Sequence, residues 1–130
     1  MTENPISLQT KADARGTLIV LETGKEVPFL IRRSYFIYDV KGASRGFHAH
    51  KKLEQVCVCV NGSCTLRLDD GKHVTEYKMD DPSKAVYIGP MVWREIHDFT
   101  EDCIFMVYAS DVYDESDYIH YYEDFKRSLK

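Results

Sequence analysis

Nine short segments rich in β-branched and aromatic residues follow one another along the chain, each closed by a turn signal. They fall at 16–21, 33–40, 46–50, 54–60, 63–68, 73–78, 85–88, 92–98 and 104–110. Each is too short for a globular helix, and several alternate apolar with polar residues, the period of a half-buried strand. Asn61-Gly62 and Asp70-Gly71 have the composition of tight hairpin turns. Asp80-Asp81-Pro82 and Gly89-Pro90 are weaker breaks. Many short strands at this spacing predict an all-β antiparallel sandwich or barrel. A chain of 130 residues fits a single domain, 1–130, with a core that needs no disulfide.

The tail has a different period. From Asp114 onward, Tyr118, Tyr122, Phe125 and Leu129 share one helical stripe. Asp114 or Ser116 is placed to cap the start, and Lys126, Arg127 and Lys130 suit the end. One C-terminal amphipathic helix is expected there, carrying His120 on its surface.

Net charge is −4 and the basic residues form only short pairs, which argues against a nucleic-acid partner. No stretch is apolar for long enough to span a bilayer, and 1–16 lacks the apolar core of a signal peptide, so a cytoplasmic location is expected. Cys57, Cys59, Cys64 and Cys103 contain no Cys-x-x-Cys and are expected to be small core thiols.

The stretch RGFHAHKKLEQ, 45–55, carries the chemistry. On a strand, His48 and His50 point to one face with their Cα atoms roughly 7 Å apart. With Glu54 they make part of a metal site, or a pair of acid/base groups that needs none. Gly42, His48-Ala49-His50, Glu54 and Gly62 resemble the first motif of the cupin superfamily. Aligned on its turn and on Trp93, the second motif, YIGPMVWREIHDF, has Arg94 where that family places its next histidine ligand. A guanidinium has no lone pair to give. The expectation is therefore no metal and no cofactor. Trp93 is open between core and a base-stacking platform, and His97 between core and surface. His73 is expected to be exposed.

RGFHAHKKLEQ, NGSC, LDDG, GPMVWREIHDF and ASDVYDESDYI together resemble the nucleoside-diphosphate-sugar 3,4-ketoisomerases, small metal-free sugar cupins. The resemblance runs along nearly the whole chain. It implies a cupin-type antiparallel β-barrel (jelly roll) with one C-terminal helix. It also implies a homodimer and the conversion of TDP-4-keto-6-deoxy-D-glucose to a TDP-3-keto-6-deoxyhexose, a step toward amino-deoxysugars of a lipopolysaccharide or S-layer glycan. His50 is then the main carbon base, and His48 a second acid/base or a shuttle between O3 and O4. The two roles can be exchanged. Arg45, Arg94 and Tyr35 are candidates to meet the oxyanion. Arg15, Arg32, Arg33 and Lys51 are candidates for the diphosphate, with a solvated strand edge the alternative for Arg32 and Arg33. Arginine rather than histidine at position 94 tilts the expected product toward the gluco configuration at C4. Three other readings compete: a nucleotide-sugar 3,5-epimerase, a metal-dependent cupin using His48, His50 and Glu54, and a sugar-binding cupin without activity.

Overall fold

The computed structural model describes residues 3–130. All nine expected strands are present: β3 (Gly16–Val20), β4 (Arg33–Tyr38), β5 (Arg45–His50), β6 (Gln55–Asn61), β7 (Cys64–Asp69), β8 (Val74–Met79), β9 (Lys84–Ile88), β10 (Trp93–His97) and β11 (Ile104–Ala109). Three more were not expected. Strand β1 (Ile6–Ser7) is very short. Strand β2 (Gln9–Asp13) is exposed at every residue and so has no apolar alternation to read. Strand β12 (Tyr118–Ile119) lies inside the expected tail helix.

The strands form two five-stranded antiparallel sheets, in the orders β1-β9-β6-β11-β4 and β12-β5-β10-β7-β8, while β2 and β3 pair only with each other. The expected barrel is not closed. The edge strands do not pair across, and two of them, β1 and β12, are only two residues long, a common way to leave a sheet edge inert.

The pattern VCVCV on β6 shows how the sheets are held. Cys57 and Cys59 face inward, into a core with Val86, Phe105 and Val107 of the first sheet and Leu66, Leu68 and Ile96 of the second. Val56 and Val58 face the other way, onto Leu8, Val27 and Ala85. A strand covered on both faces needs apolar residues at successive positions, and β6 has them from Val56 to Cys59. A third cluster, Ala49, Trp93, Ile119 and Phe125, sits on the other face of β5 and β10. Trp93 therefore belongs to the core, and its indole donates to Glu95 Oε2 at 2.9 Å. Burying Phe125 there contributes about 1.5–3 kcal/mol, which anchors the tail.

Two turn expectations need correction. Asp70-Gly71 does close the β7–β8 hairpin, but with a longer loop, in which Asp70 Oδ1 accepts from the backbone of Lys72 and His73 at 2.8 Å. Asn61-Gly62 closes no hairpin: it carries the chain from β6 in the first sheet to β7 in the second. Gly62 has φ of 65°, and a Cβ there would stand 2.4 Å from Thr100 Oγ1 and 2.8 Å from the Cys103 backbone nitrogen, so only glycine fits.

The tail helix is also shorter than its stripe predicts. Glu115–Asp117 is a single 3₁₀ turn capped by Asp114, which accepts from Ser116. Tyr118 and Ile119 then extend to pair with His50 and Ala49, and only Tyr122–Ser128 (α1) is helical. Strand pairing overrides helical propensity here, reinforced by Lys51 N–H donating to Asp117 O at 3.0 Å. Tyr118 consequently leaves the helical stripe, and His120 lies outside α1.

Candidate active site

The site grows from an irregularity in β5. Gly46 and Phe47 both have positive φ, 92° and 59°, and the pairing with β10 shifts register there, so that Arg94 stands opposite His48 and Glu95 opposite Gly46. Phe47 is the extra residue of a β-bulge, a device that re-aims side chains beside active sites. A Cβ on Gly46 would lie 2.9 Å from Arg94 O, so glycine is required for this approach.

His48 and His50 emerge with ring centroids 5.0 Å apart and nearly perpendicular. Tyr118 packs on both, 5.0 Å from His48 and 4.3 Å from His50. A cavity of about 350 Å³ between the sheets is lined by His48, Arg94, Tyr35, Gln55, Arg45 and Tyr118, among others. His50 lines a smaller adjoining hollow with Asp117 and Lys52, and Arg33 and Tyr118 line both.

Each imidazole is tied at Nδ1 and free at Nε2. His48 Nδ1 lies 3.1 Å from Gly46 O. A carbonyl only accepts, so Nδ1 carries the proton and Nε2 keeps its lone pair. His50 Nδ1 lies 3.2 Å from Asp117 Oδ2, and its buried Nε2 has no hydrogen-bond partner. Asp117 also accepts from the backbone N–H groups of Lys52 and Leu53, at 2.9 and 3.2 Å. A carboxylate held this firmly fixes the His50 tautomer.

Arg94 supplies the charge. It is only 3% exposed, and no carboxylate pairs with it among the described residues. One terminal nitrogen donates to Val92 O at 3.0 Å and the other to Gln55 Oε1, while Nε has no partner. Gln55 in turn donates to the Tyr35 hydroxyl at 3.1 Å, leaving that O–H free to donate onward. Burial lowers the guanidinium to about 10, so it stays charged at neutral pH. A buried cation without a counter-ion costs several kcal/mol, and an anionic ligand would recover that cost.

Burial and the Arg94 charge hold both imidazoles below the ordinary 6.5, His48 at about 4 and His50 lower still. Both rings are thus neutral bases at pH 7. A base is lost as pH falls through its pKa, and a lowered pKa moves that loss downward. The acid limb of kcat/KM for the free enzyme is expected near 4 rather than at 6.5. A limb at the ordinary value in a pH–rate series would contradict this electrostatic picture. For Asp117→Asn, a fall in kcat of about a hundredfold or more is expected, with the protein still folded, because the amide can hold His50 in the wrong tautomer.

Not every candidate is at this place. Arg45 lines the cavity and Arg33 borders it. Arg15 sits on the β2–β3 hairpin, ion-paired with Asp13 at 2.7 Å and 90% exposed. Arg32 is exposed, and Lys51 Nζ donates to Ser116 O at 3.0 Å. These three do not line the cavity. Glu54, the carboxylate of the metal alternative, accepts from the Tyr87 hydroxyl at 2.7 Å and does not line it either. His97 is outside, bonded to Ser44 and Glu95, and His73 is exposed. Gln55, Asp117 and Tyr118 were not anticipated. A glutamine in phase with Cys57 on an otherwise apolar strand is a readable signal for Gln55. The other two were masked by the helical stripe.

The family model described as "FdtA: WxcM-like, C-terminal" matches residues 1–130. A TDP-4-oxo-6-deoxy-alpha-D-glucose-3,4-oxoisomerase of Aneurinibacillus thermoaerophilus is 52% identical over 130 residues, spanning 99% of this chain and 94% of that one. A histidine-to-asparagine variant of the 3,4-ketoisomerase QdtA from Thermoanaerobacterium thermosaccharolyticum, solved with TDP-4-keto-6-deoxyglucose, is 42% identical. It superposes with a TM-score of 0.93 over 98% of this chain and 95% of its own. The WlaRB TDP-quinovose 3,4-ketoisomerase of Campylobacter jejuni is 43% identical, with a TM-score of 0.91 over 95% and 96% of the two chains.

Proposed function

The chain belongs to the FdtA (WxcM-like, C-terminal) family, it is an enzyme acting on a TDP-linked keto sugar, and we propose that it converts TDP-4-keto-6-deoxy-D-glucose to a TDP-3-keto-6-deoxyhexose through an enediol. The observation that supports this most is the pairing of two neutral imidazoles with an uncompensated buried cation. Moving a ketone from C4 to C3 takes a base at carbon and a fixed positive field at oxygen, and no redox partner.

In the proposed sequence, His50 Nε2 takes the proton from C3. The electron pair forms the C3–C4 double bond, and the C4 carbonyl oxygen becomes an oxyanion. Arg94 and the Tyr35 hydroxyl stabilise it, with Arg45 at the cavity mouth. His48 carries a proton from O3 to O4. The electron pair on O3 then forms the new carbonyl as the His50 imidazolium gives its proton to C4, which restores the neutral base. The chain's own groups carry every step, without metal or cofactor.

Arg33 suits the diphosphate, since a guanidinium fork matches its oxygens. Arginine at position 94 favours the gluco product. Two copies are proposed to associate through the first sheet and the β2–β3 hairpin. Phe36 and Tyr38 on edge strand β4 are 57% and 64% exposed, and the hairpin pairs with no other strand. Arg15, at its turn, then reaches the second copy's site. Among the described residues no helix is long and apolar enough to cross a membrane; a cytoplasmic location is part of the proposal.

Carbon NMR of the protein incubated with TDP-4-keto-6-deoxyglucose tests this reading. The carbonyl signal is expected to move from C4 to C3, with the C4 hydroxyl equatorial. An unchanged C4 carbonyl would refute the reaction, and an axial hydroxyl would refute the stereochemical assignment.

A further inference from the structure

Two residues along β6 from Cys57, on the same inward face, the isomerisation leaves a cluster of reactive groups unused. Cys59 there meets Cys64, the first residue of β7, and Cys103, just before β11. All three are free thiols, at most 1% exposed. Their sulfurs lie within 4.8 Å of one another, and Cys59 Sγ is 3.5 Å from Cys103 Sγ. Among the described residues this is the one group of three or more His, Cys, Asp or Glu side chains with the spacing to hold an ion.

We propose that Cys59, Cys64 and Cys103 form a three-sulfur site for a soft monovalent cation, copper(I). Thiolates select soft ions. A trigonal ion with metal–sulfur bonds of ~2.3 Å holds its sulfurs about 4 Å apart, so the present spacing needs shifts of under about 1 Å. Structural zinc takes four ligands in a tetrahedron, and no fourth ligating side chain joins this group. The thiols have few other partners: Cys59 S–H reaches only the carbonyls of Asn61, at 3.1 Å, and Gly62, at 3.5 Å, besides Cys103. Each thiol that ligates releases its proton to solvent.

The three-sulfur site is separate from the catalytic cavity, which none of these three cysteines lines. It is bordered by the turns at 61–63 and 100–102, joined by Asn61 Nδ2 donating to Asp102 O and Ser63 N–H donating to Thr100 Oγ1, both at 2.9 Å. An ion here would tie β6 of one sheet to β7 of the other.

The test is anaerobic titration of the whole chain with copper(I) presented as its complex with a chromophoric chelator. The wild-type chain is expected to withdraw one equivalent and to melt at a higher temperature when loaded. Cys59→Ser and Cys103→Ser are each expected to weaken uptake at least about tenfold, which corresponds to roughly 1.4 kcal/mol, while retaining ketoisomerase activity. Cys57→Ser should bind as the wild type does. The proposal is overturned if the wild type withdraws no copper, if both Cys59→Ser and Cys103→Ser bind normally, or if Cys57→Ser weakens binding as much as they do. X-ray absorption of the loaded wild type needs no variant. Three sulfurs at ~2.3 Å are expected; two sulfurs, or nitrogen and oxygen neighbours, would contradict the assignment.

Discussion

His50→Asn is expected to cut turnover by about a hundred- to ten-thousandfold, the range for loss of a positioned general base. His50 is 1% exposed, with Nδ1 held by Asp117 and a buried, unpartnered Nε2. An unsatisfied lone pair in such a place costs free energy, and the fold has no structural use for it. Asparagine can still donate to Asp117, so the variant should fold and bind substrate while lacking a proton acceptor. His48→Asn should differ in kind. If His48 carries the O3-to-O4 proton, its loss slows product formation while C3 still exchanges its hydrogen with solvent. The reverse pattern would exchange the two roles. Near-wild-type turnover in both variants would end the proposal.

Arg94→Met is expected to separate catalysis from stability. Removing a single oxyanion-stabilising donor from a dry site costs about a hundred- to a thousandfold in kcat, or roughly 2.7–4 kcal/mol. Arg94 is also a buried charge without a counter-ion, and methionine of similar length carries no desolvation cost. The melting temperature should hold or rise, as when other buried ionic groups are replaced by apolar ones. A second readout comes from the histidines. Arg94 is one of the groups that lower both imidazoles, so its removal should raise their pKa values. The neutral base is then lost at higher pH, and the acid limb moves upward toward 6.5. A variant that is inactive merely because it misfolds would show neither the retained melting temperature nor the shifted limb.

Much of this arrangement is legible in the chain, for identifiable reasons. Most of the nine strands could be read because they bury one or both faces and alternate or run apolar accordingly, as β6, β7, β9, β10 and β11 do, whereas β3 and β8 are largely exposed and are marked by their β-branched content and flanking turns. The Arg94–His48 pairing could be inferred from motif alignment, and the observed register brings them together. The alignment did not reveal the bulge at Gly46 and Phe47, which shifts the pairing of β5 with β10 immediately before His48. Strand β2 was unreadable because every residue is exposed, and its pairing comes from the hairpin alone. The tail misled for a physical reason. Tyr118, Tyr122 and Phe125 satisfy a helical period, but Tyr118 gains more from pairing with β5 and packing on the imidazoles. That choice also brings Asp117 to His50, so the missed helix start and the missed dyad are one error. Asn61-Gly62 has hairpin composition yet crosses between sheets, since a dipeptide sets local φ and not the identity of the next partner.

In the proposed reaction protons move between C3 and C4 on the chain's own imidazoles. Its most direct test is incubation of the wild-type protein with TDP-4-keto-6-deoxyglucose in deuterium oxide, followed by proton NMR. Loss of the C3 proton and appearance of deuterium at C4, with C5 untouched and the rate unaffected by prior exhaustive chelation, is the predicted result. Deuterium at C5, or activity that disappears on chelation, would contradict it.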